Sequence, residues 1–275
     1  YAMSTILANG LVHFYEECGA GTPLVLIHGA FSDARMWDPQ WQHFVSRFRL
    51  LRYDLRGHGR TGASSLSEYS LATYVADLAS LLEALHISNP ILIGQSFGGS
   101  IAQAFAVSHP TQPRALIMAG SMVAIDLSLL DKFLCRVLVP RWAMMGVIRV
   151  MSVERFVRFS LWLGRLTKGR HFLGSREETG TYLRECMLAM SREEYLKTWG
   201  VMYGFHLLPL EKITCPTLVL NGEWEPKSMQ PHTRTLLQRI PHARAALVPD
   251  AYHASNMDNP TAFNALVEEF LSSLG

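Results

Sequence analysis

The stretch Ile91–Gly99, I-L-I-G-Q-S-F-G-G, constrains this chain more than any other. Three apolar residues run into Gly94-Gln95-Ser96-Phe97-Gly98-Gly99, and Ser100-Ile101-Ala102-Gln103-Ala104-Phe105-Ala106 continues in helix-compatible residues with no spacer. The pattern predicts a strand, a sharp turn and a helix. A serine at the apex of such a turn has its Oγ lifted above the sheet edge. Crowding of backbone against backbone then requires small residues beside it, which Gly94, Gly98 and Gly99 supply. The following helix aims its first amides at the apex, where an anionic intermediate can be held. A glycine-rich turn with a capping serine is the plainer alternative, and the strand before and the helix after argue against it.

Strand patterns recur on both sides of this turn. Ile6–Glu17 reads as an opening strand or hairpin, and Pro23–Ile27 as a buried strand ending at His28-Gly29-Ala30-Phe31. Trp37–Phe44 reads as a short helix, and Phe48–Tyr53 as a second buried strand closed by Asp54-Leu55-Arg56-Gly57-His58-Gly59. Ser70 caps a helix whose apolar residues, from Leu71 through Tyr74, Leu78 and Leu81 to Leu85, keep three-and-four spacing. The elbow helix runs to about Ser108, and Ala115–Ala119 is the next strand. This alternation implies a parallel sheet with both faces covered.

From about Met122 to Leu208 the rhythm breaks and the patterns are helical throughout. They comprise Leu130/Phe133/Leu134/Val137/Leu138 ending at Pro140, Arg141–Met151, Glu154–Leu163, and two helices opened by S-x-x-E boxes at Ser175/Glu178 and Ser191/Glu194. Alternation resumes with the strand Thr217–Leu220, a helix through Leu237, the strand Ala245–Val248, and a last helix opened by Asn259 and Pro260. The expected division is a core in residues 1–121 and 210–275 with a helical insertion at 122–209.

Bulk properties exclude several classes. The formal charge of +2 and the lack of basic blocks interleaved with aromatics speak against a nucleic-acid partner. Cys18, Cys135, Cys186 and Cys215 are scattered without C-x-x-C spacing, which suggests a reducing, cytoplasmic setting. Tyr1-Ala2-Met3-Ser4 has neither the charged nor the apolar region of a leader, and Met3 is the expected native start. Ala84–Pro113 lacks Asp, Glu, Lys and Arg, but its Pro, Gly, Ser and Gln residues rule out a membrane span. One segment departs from charge balance: Asp131–Arg170 holds nine Lys or Arg against Asp131 and Glu154, a surplus of +7. A solvated outer face is the ordinary reading; attraction to acidic substrates or to a membrane surface are the alternatives.

A serine hydroxyl is a poor nucleophile at neutral pH and needs an imidazole to take its proton and a carboxylate to orient the imidazole. Asn221-Gly222-Glu223-Trp224-Glu225-Pro226 follows the Thr217–Leu220 strand, and Pro249-Asp250-Ala251-Tyr252-His253 follows the last strand. The order is serine, acid, histidine. With G-Q-S-F-G, H-G-A-F, D-L-R-G-H-G and a helical insertion before the acid strand, the chain resembles the α/β-hydrolase fold family over about Gly21–Leu271. The resemblance implies an eight-stranded, mostly parallel sheet with helices on both faces and an inserted helical cap.

Carried over residue by residue, the resemblance makes Ser96 the nucleophile and His253 the general base, with oxyanion donors from the amides of Phe97 and Ala30. His28 and His58 take structural roles in their turns. The acid departs from the commoner aspartate: Glu225 is the leading candidate, followed by Glu223 and then Asp126, which lies beyond the Ala115–Ala119 strand. No Cys/His cluster or H-x-x-x-H pairing implies a metal, and the first strand is not followed by G-x-G-x-x-G, so cofactor-free chemistry is expected.

Phe31, Trp224 and Tyr252 from the core loops, and Trp142, Trp162 and Trp199 from the insertion, are expected around Ser96. Such a lining suits a medium-sized apolar ester or lactone. Carbon–carbon bond hydrolysis, perhydrolysis, amide hydrolysis, or a ligand receptor with a retained triad are alternatives on the same fold. Dehalogenase and epoxide-hydrolase chemistry is disfavoured, because those members carry aspartate where Ser96 stands.

Overall fold

A computed structural model of the chain describes residues 2–127, 132–133, 137–169 and 174–275. Eight strands form one sheet: β1 (Ala2–Ala8), β2 (Leu11–Cys18), β3 (Pro23–Ile27), β4 (Arg49–Tyr53), β5 (Ile91–Gln95), β6 (Ala115–Ala119), β7 (Thr217–Gly222) and β8 (Ala243–Val248). Their spatial order is β1-β2-β4-β3-β5-β6-β7-β8. β2 runs antiparallel to both β1 and β4, and every other pairing is parallel. The β1–β2 hairpin turns on Asn9 and Gly10, both at positive φ (46° and 70°), as a two-residue turn of matching twist requires. The expected eight-stranded, mostly parallel sheet is the sheet observed.

Helices cover both faces, so the central strands β5 and β6 are buried at every position. α2 (Leu71–Ala84) and α3 (Phe97–Ser108) lie on one face, where Tyr74, Leu78, Ile101 and Phe105 are sealed from solvent. α1 (Asp38–Phe44) and the C-terminal helix (Pro260–Ser272) lie on the other, around Trp37, Phe44, Phe263 and Val267. α2 opens with the full capping box at Ser70 and Thr73. Its buried stripe also carries Asp77, a charge the apolar spacing does not reveal. The Asp77 carboxylate accepts from the Arg56 guanidinium at 2.8 and 2.5 Å, so the buried charge is paired.

Between β6 and β7 stand α4 (Arg141–Val150), α5 (Val153–Lys168), α6 (Glu177–Ala189) and α7 (Arg192–Tyr203). The predicted helix through Leu130 and Leu134 lies largely outside the described residues. α5 continues past the predicted end at Leu163, because one interior glycine costs a helix only about 1 kcal/mol; it stops at Gly169, whose φ is 93°. Ser191 caps α7 as expected by accepting from the Glu194 amide. The Ser175 box does not form. The Ser175 hydroxyl donates instead to the Asp250 carbonyl at 3.1 Å, and α6 starts after Arg176 without a side-chain cap.

Two buried polar clusters join this layer to the loops that follow β3 and precede α2. Glu194 on α7 accepts from the Tyr69 hydroxyl at 2.5 Å and from the Lys197 ammonium at 3.0 Å. On α6, the Tyr182 hydroxyl donates to the Asp33 carbonyl at 3.0 Å and accepts from the Asp33 amide at 3.1 Å. The Cys186 thiol donates to the Asp33 carboxylate at 3.3 Å.

Candidate active site

Ser96 sits between β5 and α3 at φ 52° and ψ −116°, a strained conformation for a residue with a Cβ. Its amide donates to the Ala119 carbonyl at the end of β6, at 2.7 Å. The strain is held in place by contacts that demand glycine: a Cβ at Gly98 would overlap the carbonyl oxygens of Ile27 and His28, and one at Gly94 would overlap the Gly98 backbone. β3 therefore lies directly against the first turn of α3, and its continuation His28-Gly29-Ala30-Phe31 reaches the serine. A Cβ at Gly29 would stand 3.4 Å from the Ser96 Cβ.

His28 fixes that loop. The Leu55 amide donates to its Nε2 at 2.9 Å, so Nδ1 carries the proton and donates to the Gly29 carbonyl at 2.7 Å. Burial lowers its pKa and keeps the ring neutral. His58 is packed edge-on to His28 with ring centroids 5.4 Å apart, and burial together with that neighbour pushes its pKa down to about 3. These two histidines set an acid limit. Unfolding releases each ring to take a proton below its ordinary value near 6.5, while both folded rings titrate lower, so stability falls as pH drops below 6.5, and the His58 share of that loss runs down to about 3. His58→Gln should flatten urea-midpoint profiles across that window, and an unchanged slope would contradict this origin.

The ends of β7 and β8 bring Glu225 and His253 together. The Glu225 amide closes a turn onto the Gly222 carbonyl at 3.0 Å, and the carboxylate, almost fully buried, accepts from His253 Nδ1 at 2.6 Å. In the amide orientation that satisfies all its neighbours, Asn221 donates to the other Glu225 oxygen at 3.2 Å. The runner-up Glu223 is exposed and accepts from the Asp250 amide at 3.2 Å; Asp126 lies 3.3 Å from His206 Nδ1. Neither of these contacts is to His253. An imidazole held this way at Nδ1 leaves Nε2 to accept a proton.

Gly120, the residue after the carbonyl that holds the Ser96 amide, completes the assembly. A Cβ there would lie 3.0 Å from both Glu225 Oε1 and His253 Nδ1. Gln95 was not among the expected site residues. It is buried against Gly29, and its Nε2 donates to the His253 carbonyl at 3.0 Å, tying the histidine loop to the elbow. Being the free position of G-x-S-x-G, it carries no motif signal; a polar residue at the end of an otherwise apolar strand is the one hint.

Aromatic residues divide into two groups. Phe31, at φ 60°, stacks on Tyr195 at 4.9 Å and meets Trp199 at 5.6 Å, while Trp224 and Tyr252 pack edge-on at 5.5 Å. Trp142 and Trp162 do not join them. They are 78% and 56% exposed and line outer grooves with arginines of the helical layer. Helix phase is the reason: α5 turns Phe156 and Val157 inward, and five or six residues later Trp162 emerges on the opposite side.

Residues 24–266 match the family model described as the alpha/beta hydrolase family. The chain belongs to this family. Its overall shape is similar to the enol-lactonase from Burkholderia xenovorans, with TM-score 0.82 and 24% identity over 98% of this chain and all of that one. It is also similar to a thermophilic esterase from Thermogutta terrifontis, with TM-score 0.82 and 22% identity over 100% and 99% of the two chains. A 2-hydroxy-6-oxo-2,4-heptadienoate hydrolase from Pseudomonas putida is 32% identical over 130 residues, 46% of each chain. Among the described residues, no group of three or more His, Cys, Asp and Glu is placed to hold a metal ion, and no helix is long and apolar enough to cross a membrane.

Proposed function

We propose that this alpha/beta hydrolase cleaves a carboxylic ester or lactone of medium size and apolar character through a Ser96–His253–Glu225 triad. The observation that carries the proposal is the seating of the His253–Glu225 pair against Gly120, next to the carbonyl that anchors the Ser96 amide. His253 Nε2 takes the proton as Ser96 Oγ adds to the substrate carbonyl, and the amides of Ala30 and Phe97 receive the oxyanion. Collapse expels the alcohol oxygen, protonated by His253, and leaves an acyl-serine. Water activated by the same imidazole then releases the acid. Phe31, Trp199, Trp224 and Tyr252 supply the apolar surround.

The test is a series of p-nitrophenyl esters and aliphatic lactones of rising chain length, with fluorophosphonate labelling mapped by peptide mass. Turnover with Ser96 labelled is expected; neither turnover nor label would overturn the reading. The match to the 2-hydroxy-6-oxo-2,4-heptadienoate hydrolase supports a second reading, carbon–carbon bond cleavage on the same triad, which a vinylogous diketone added to the series would detect. Glu225→Gln should lower ester turnover at least about a hundredfold, because a neutral amide no longer stabilises the imidazolium. Glu223→Gln should leave it near normal, and the reverse pattern would move the acid to Glu223.

A further inference from the structure

The helical layer carries an outward surface that ester hydrolysis does not use. Along α5, Phe159, Trp162 and Leu166 recur at helical spacing on the side opposite the buried Phe156 and Val157, and they are 45%, 56% and 64% exposed. The rings of Phe159 and Trp162 lie 6.0 Å apart. Arg155, Arg158 and Arg165 share that side, and Glu154, the one carboxylate in the helix sequence, pairs with Arg158. Between α5 and α6 a groove of about 380 Å³ adds Leu161 and Leu188 together with Arg184. Among the described residues, Arg155, Arg165 and Arg184 have no carboxylate partner.

Exposed aromatic and aliphatic side chains at this density mark an interaction surface, and charge selects the occupant. A second copy of the same face would set Arg155, Arg158, Arg165 and Arg184, with Glu154 the one carboxylate of α5 to offset them, against the same charges. An anionic bilayer answers both features. Tryptophan, phenylalanine and leucine settle at the headgroup boundary, while arginine stems lie along the apolar surface and carry their guanidiniums to the phosphates.

We propose that the outer face of α5 docks on an anionic lipid bilayer, with Phe159, Trp162 and Leu166 entering the interface and Arg155, Arg158 and Arg165 meeting lipid phosphates. The proposal stands independently of the hydrolase reading, because its readout is lipid binding. The experiment is co-sedimentation of the full chain with phosphatidylcholine vesicles, with and without phosphatidylglycerol, over a range of salt. Binding is expected to require phosphatidylglycerol and to weaken as salt rises. The triple variant Arg155→Gln/Arg158→Gln/Arg165→Gln should bind about a hundredfold more weakly, since each basic group near an anionic surface contributes roughly fivefold. Trp162→Ser should also weaken binding while keeping the salt dependence. Circular dichroism melting checks that both variants are folded. Equal binding to the two vesicle types, or unchanged binding by the folded triple variant, would overturn the proposal. So would a dimer that depends on Trp162 and has no affinity for vesicles, because it would assign the face to a second copy.

Discussion

Ser96→Ala is expected to lower p-nitrophenyl ester turnover about a hundred-thousandfold and to abolish fluorophosphonate labelling, with the unfolding midpoint retained. His253→Ala should fall to a similar floor. In the proposed triad nucleophile and base act as one unit, so the double variant should fall no further, the remaining rate coming from substrate binding and the oxyanion amides proposed at Ala30 and Phe97. Steady-state assays on highly purified protein measure all three. Independent, multiplying losses would break the assigned partnership, and a Ser96→Ala variant within tenfold of the parent would remove serine from the mechanism.

The second large effect concerns stability. Gly98→Ala would drive a methyl group into the backbone oxygens of Ile27 and His28, where neither β3 nor α3 can retreat without breaking the sheet. A loss of more than about 4 kcal/mol is expected, read as a collapse of the urea midpoint or as insoluble expression. Gly180→Ala, on α6 with open space around its Cβ position, is the control and should be neutral or gain up to about 1 kcal/mol. A Gly98→Ala protein as stable as the parent would mean that the elbow packs differently.

The elbow was legible in the sequence because its constraint is local: a strand, small residues around a serine and a helix follow one another without a gap. The sheet was legible for a related reason, since apolar runs such as Leu24–Ile27 and Ile91–Ile93 are buried on both faces and need no partner to be recognised. Glu223 and Glu225 could not be separated that way. They lie two residues apart in a turn whose course depends on hydrogen bonds to Gly222, Val248 and Ala251, and two of those partners belong to β8 or its loop. Trp142 and Trp162 expose the other gap. Residue type told that the layer is rich in aromatics, but which side of each helix they occupy follows from packing partners remote in the chain. The bonds of Gln95 and Asp77 were hidden likewise, because a lone polar residue in an apolar pattern does not name what satisfies it.

Cys186 turns the contact between α6 and the loop after β3 into something that can be timed. Burial and the neighbouring Asp33 carboxylate push its thiol up to about 12, so at neutral pH almost none of it is the reactive thiolate while α6 stays docked. Lifting α6 off Asp33 returns it to an ordinary thiol. The rate at which an alkylating reagent marks the Cys186 peptide is therefore a clock for excursions of the helical layer, written into the native chain without any engineered probe.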